Sequence, residues 1–120
     1  MDSHSRTPIR SSGNASDSNR GWFIGPYCAD ENPLLAGAGI QVKWGVHTAG
    51  DARDTWDNGV EEWSLCLLVN GSLTLTFADG CETLESPGDF VMWQPRTPHT
   101  WRANHDSTVI TVRWLTSSDS

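Results

Sequence analysis

The feature that most constrains this chain is a two-residue apolar period, broken by a turn signal every few residues. Ile40, Val42, Trp44 and Val46 alternate with Gln41, Lys43 and Gly45, as on a strand with one apolar face. Residues 63–70, Trp-Ser-Leu-Cys-Leu-Leu-Val-Asn, form a nearly continuous apolar run that stops at Gly71. Leu73, Leu75 and Phe77 then alternate with Thr74 and Thr76, and Asp79-Gly80 is a hairpin signal. Shorter strands are expected at 90–93, where Pro95 ends the run, at 99–101 and at 108–114. No window carries the i, i+3, i+4, i+7 spacing of an amphipathic helix. The expected class is all-β: a sandwich, jelly roll or small barrel.

Composition divides the chain. Residues 1–20 are mostly Ser, Asp, Asn, Arg, Gly and Thr, with Ile9 the only large aliphatic side chain among them. Such a segment buries too little surface to offset its ordering entropy, so a disordered polar tail is expected there. His4 belongs to it. All seven Trp lie between 22 and 114, which puts one β domain at 21–116 and a frayed polar end at 117–120.

Charge narrows the partners. The chain carries 15 acidic and 8 basic residues, a net charge of −7. Within 21–116 the ratio is twelve to five. Such a surface repels phosphate backbones, so no nucleic-acid partner is expected. No apolar run of membrane-spanning length or secretory h-region is present, which predicts no membrane partner. Cys28, Cys66 and Cys81 are odd in number and lack C-x-x-C spacing. Three reduced thiols in a cytoplasmic protein are expected, with Cys66 in the core.

Residues 87–99 read Pro-Gly-Asp-Phe-Val-Met-Trp-Gln-Pro-Arg-Thr-Pro-His. The stretch resembles the second signature of the cupin superfamily: a Gly, a short strand, a Pro-containing turn, then a His eleven residues after the Gly. Gly88 and His99 keep that spacing, and Arg96 stands where the family turn usually has Gly. The resemblance implies a small jelly-roll β-barrel with His99 pointing inward. Segments 43–53, 88–93 and 111–114 are also similar to a group of short, stand-alone bacterial cupins with no assigned reaction. The first cupin signature, which carries two His and then a Glu, is not kept. Ser64 stands at the Glu position seven residues before Gly71, and Asp57 to Val60 occupy the region of the His pair.

The resemblance draws attention to His47, Arg53, His99 and Arg113. Trp93 and Trp101 flank the turn and suit a ligand-gripping barrel mouth. At Trp44, Trp63, Trp93 and Trp114 packing between sheets is the plainer expectation. On the last strand Val109, Thr111 and Arg113 share one face and Ile110, Val112 and Trp114 the other. Burying the latter set turns Arg113 toward solvent or toward the cavity, depending on the sheet. In a cavity its fork suits a carboxylate or phosphate. His105 sits in a polar turn and is expected at the surface.

Two functions stay open from the residues, and neither decides whether the protein is an enzyme. The first is a small-molecule-binding cupin without metal, its ligand near His99. Trp93, Trp101, His47, Arg53 and Arg113 would line the site, with no cofactor. The alternative is a metal-dependent cupin enzyme with a rebuilt His47, Glu62, His99 triad holding Fe, Mn, Ni or Zn. Glu62 has the strand parity of Ser64 and Cys66, which motivates that set. Open sheet edges imply a homodimer, with Trp22 or Phe23 near its interface.

Overall fold

The computed structural model describes residues 20–28, 39–57 and 59–116. The expected tail, apart from Arg20, and the expected frayed end, 117–120, lie outside the described residues. The described residues form nine strands: β1 (Trp22–Ile24), β2 (Ile40–His47), β3 (Ala52–Asp57), β4 (Trp63–Asn70), β5 (Leu73–Phe77), β6 (Gly80–Leu84), β7 (Phe90–Trp93), β8 (His99–Ala103) and β9 (Ser107–Trp114). A single 3-10 turn, Pro26–Cys28, is the only helical piece among the described residues. The fold is all-β, as the alternation implies.

The strands form two antiparallel sheets. One runs β1-β2-β9-β4-β7 and the other β3-β8-β5-β6. Sequence neighbours such as β4 and β5 therefore sit in different sheets, the wrapping expected of a jelly roll. The core between them is Cys66 and Leu68 from β4, Leu73 and Leu75 from β5, and Leu84, Ala103 and Val109. Phe77, Val91, Trp93 and Trp101 pack against it. Strands β1, β3 and β6 were not apparent as apolar alternation. Ala52–Asp57 reads Ala-Arg-Asp-Thr-Trp-Asp and Gly80–Leu84 is mostly exposed, so neither strand owes its place to an apolar stripe.

The apolar stripe of β2 faces away from the core, which corrects the expectation for several Trp residues. Trp44 is 40% exposed and Val46 is 70% exposed, while Lys43 and His47 line the space between the sheets. Strand β9 follows suit. Val42 pairs with Val112 and Trp44 with Ile110, so Ile110, Val112 and Trp114 lie on the outer face. Val109 is buried, and Thr111 and Arg113 turn inward with it. In β4 the buried set is Ser64, Cys66 and Leu68, which leaves Trp63, Leu65 and Leu67 outside. Trp63 and Trp114 stack on each other there, with ring centroids 6.4 Å apart. Of the four Trp expected between the sheets, only Trp93 packs on the core. In β4 both faces are apolar, and in β2 the more apolar face is the outer one, so alternation alone does not say which is inside.

The signature turn is built by local hydrogen bonds. Gly88 N–H donates to Leu68 O and Leu68 N–H to Asp89 O, both at 2.8 Å, which ties the entrance of β7 to β4. The Asp89 carboxylate accepts from Ser86 N–H and Glu85 N–H. Those two bonds hold its pKa below the ordinary carboxylate value. Arg96 adopts φ 57°, the left-handed conformation that the family's usual Gly would take without strain. Its N–H donates to Val60 O at 2.8 Å, and its guanidinium meets Glu61 at 2.6 Å in an exposed ion pair. Such pairs contribute little. The pair is consistent with Arg serving in a turn that prefers Gly.

Candidate functional site

Strands β2, β8 and β9 aim polar side chains into the space between the sheets because their inward parity carries them. Lys43 and His47 come from β2, His99 and Trp101 from β8, Thr111 and Arg113 from β9. Arg53 arrives from β3 and Trp93 from β7. The cavity they enclose has a volume of about 150 Å³. Its remaining wall is the core itself: Cys66, Leu73, Leu75 and Val109.

The two imidazoles occupy different surroundings. The His47 ring lies 4.5 Å from Trp101, centroid to centroid, and the His99 ring lies 4.8 Å from Trp93. Each His thus has its own Trp. Nδ1 of His99 lies 3.1 Å from Thr97 O. A carbonyl only accepts, so Nδ1 carries the proton and Nε2 of the neutral ring holds the lone pair. Gly45, between Lys43 and His47 on β2, gives the His47 ring its room. A Cβ there would stand 3.2 Å from His47 Nε2 and 3.3 Å from Val109 Cγ2.

Electrostatics follows from burial and from like charge. Burial lowers the Lys43 pKa most, and the Arg113, Arg53 and Arg20 cations lower it further, with a weak opposing pull from Cys66. Burial also lowers the His47 pKa, helped by Lys43 and opposed by Asp51. The Cys66 thiol is pushed up to about 12 by burial, so it is a neutral wall group rather than a nucleophile.

A pH dependence follows for His47. Its folded pKa lies below 6.5, so in the window just below 6.5 the unfolded chain binds more protons than the folded one. Stability is then full above 6.5 and falls as pH drops through that window toward the folded pKa. Thermal melts from pH 7.5 to 5 should show this loss, and His47→Gln should flatten the curve. An unchanged curve in the variant would remove His47 as its cause.

All six residues singled out for ligand binding, His99, Trp93, Trp101, His47, Arg53 and Arg113, stand around this one cavity. The triad expected for a metal does not assemble. Strand β4 begins at Trp63, and Glu62 sits in the bend before it. The Glu62 carboxylate accepts from Gln41 Nε2 at 2.9 Å, outside the cavity lining. No three His, Cys, Asp or Glu converge among the described residues. Two His beside Lys43 and Arg113 do not fit a divalent cation, which needs about three or four donors and no adjoining positive charge. His105 is exposed, as its polar turn implies.

Lys43 is the site residue missed from sequence. The signal was available: placing His47 inside places Lys43 inside too, four residues earlier on the same strand. Trp22 was expected near a dimer interface. Its ring meets Lys43 Nζ at 5.7 Å and the Arg113 guanidinium at 4.9 Å.

No protein-family model matches the chain, and no curated protein matches it significantly in sequence. Solved structures do match. A cupin superfamily protein from Desulfitobacterium hafniense superposes with a TM-score of 0.59 at 16% identity, covering 66% of this chain and 70% of that one. KdgF from Halomonas sp. gives 0.54 at 21% identity, over 68% and 85%. A point mutant of salicylate 1,2-dioxygenase from Pseudoaminobacter salicylatoxidans gives 0.56 at 16%, over 62% of this chain and 21% of that one. The neighbours thus include both an enzyme and a protein described only by its superfamily. At these identities the likeness is one of architecture, and it agrees with the turn from Gly88 to His99: this chain has the cupin fold.

Proposed function

We propose that the barrel is a small-molecule-binding module that works without a metal and holds its ligand beside His99. The observation that carries this reading is the cavity itself, into which His47, His99, Trp93 and Trp101 converge from three strands and both sheets. A few polar groups on an apolar, aromatic wall are what a ligand pocket needs for orientation. The donor set described above supports a metal-free site over the metal-dependent alternative. His99 Nε2 serves as hydrogen-bond acceptor in the neutral ring and as donor once protonated.

The test is equilibrium dialysis of the protein against a mixture of small metabolites, followed by mass spectrometry of what it retains. The wild-type chain should concentrate a compound that His99→Ala releases, while the variant loses only about 1 kcal/mol of stability for one hydrogen bond. Equal retention by both would remove His99 from the site. No retention by either would remove the binding function.

Two further readings belong with it. Cys66 and Cys81 stand as free thiols, which supports a reducing, cytoplasmic setting. Among the described residues no helix is long and apolar enough to cross a membrane. The outer face of the five-stranded sheet supports a homodimer, argued in the Discussion.

A further inference from the structure

Charge is distributed against the trend of the chain. Residues 21–116 hold only five Lys or Arg, and three of them, Lys43, Arg53 and Arg113, line this cavity. Among the described residues no Asp or Glu lines it. Among the same residues neither Lys43 nor Arg113 forms an ion pair; both lie over the face of Trp22 instead. The Nε–H of Arg113 is buried with no hydrogen-bond partner. Setting Lys43 and Arg113 close together and leaving a buried donor unsatisfied costs stability. An arrangement of this kind persists where a ligand supplies the missing counter-charge.

Register explains how the site came to favour an anion. Ser64 of β4 pairs directly with Arg113 of β9. Ser64 is the position at which the cupin signature carries a Glu. A carboxylate there would have been Arg113's internal partner. The small hydroxyl, 1% exposed, leaves the guanidinium without one.

Resting on the binding function proposed above, the geometry points to a small organic carboxylate as the ligand, its charged group clamped by Lys43 and Arg113. The apolar body would lie against Trp93, Trp101, Leu73 and Leu75. This wall argues for a carboxylate with a hydrocarbon part over free phosphate, which would leave it uncovered. Volume sets the size. A dry cavity of about 150 Å³ accepts a benzene ring, and the space here is of that order.

Benzoate, benzamide and inorganic phosphate separate the terms. Benzamide keeps the ring without the charge, and phosphate keeps charge without the ring. Calorimetric titration of the full chain should give benzoate at least about tenfold tighter binding than benzamide, the scale of a charge-assisted clamp. Arg113→Gln and, separately, Lys43→Gln should each weaken benzoate by about tenfold and leave benzamide within about twofold. Either variant suffices should the other fail to fold. Equal binding of benzoate and benzamide would overturn the carboxylate assignment while the binding function stands. Phosphate as tight as benzoate would overturn the role of the apolar wall. If none of the three binds while dialysis still finds a ligand, the carboxylate assignment falls alone; if dialysis also finds none, both fall.

Discussion

Replacing Gly71 by Ala is expected to cost about 3 kcal/mol or more and to abolish a folded population in a marginal domain. Gly71 links β4 to β5, the step by which the chain passes from one sheet to the other. Its φ of 102° lies in the left-handed region, which costs a residue with a Cβ roughly 1–2 kcal/mol. Space is the larger problem. An added Cβ would meet Asp106 O at 2.5 Å and Ser107 Cα at 2.6 Å, both backbone atoms, and would overlap the Ser107 hydroxyl. That hydroxyl accepts from Ser72 N–H at 2.9 Å and donates to His105 O at 2.8 Å, so it has no freedom to retreat. Overpacking of this kind adds about 1–3 kcal/mol. Gly88→Ala is the internal comparison. Its φ is 96°, nearly the same, yet nothing lies within 4 Å of its Cβ position. Gly88→Ala should lose only the conformational part, about 1–2 kcal/mol. Chemical denaturation of the two variants reads the difference directly. Equal losses would show that crowding at Gly71 is relieved at no cost.

The cavity was more legible in the sequence than its polarity. The spacing from Gly88 to His99 places one titratable ring inward, and the parities of His47 and Arg113 follow once one residue per strand is oriented. Orientation is where sequence reading stops. Strand β2 offers Ile40, Val42, Trp44 and Val46 on one side and Gln41, Lys43 and His47 on the other. A hydrophobic core argues for the first set inside. The structure puts Lys43 and His47 inside, where a cavity interrupts the core. Glu62 failed for a different reason. It lies in the bend before Trp63, and its carboxylate is taken up by Gln41 instead of lining the cavity. Strands β3 and β6 carry too few apolar residues to be read by period at all.

That reversal leaves an apolar outer face, and we expect it to make the protein a dimer that two charged substitutions take apart. The face runs from Trp44 through Ile110 and Leu67 to Phe90, each paired across its neighbouring strand. Val42, Val112, Leu65 and Met92 make a second such row. Neither row contains an ionisable group. Three inter-strand spacings and six residue steps along β2 span roughly 14 by 20 Å before side chains add their width. Widened by the side chains, that area falls within the range of the largest apolar patch on a monomer and is smaller than one partner's share of a standard dimer interface. Without charge to complement, the fitting partner is the same face of a second copy, packed about a two-fold axis. Val46 is 70% exposed and Phe90 is 60% exposed, at opposite edges of the face. For a monomer, Val46→Glu and Phe90→Glu are surface changes within about 0.5 kcal/mol. In a two-fold interface each one buries two carboxylates and strips two apolar contacts. A loss of about 4 kcal/mol over the pair of subunits raises the dissociation constant roughly a thousandfold. Sedimentation equilibrium at micromolar concentration should find wild type as dimer and both variants as folded monomers. A wild-type monomer under those conditions would overturn the two-fold assembly on this face.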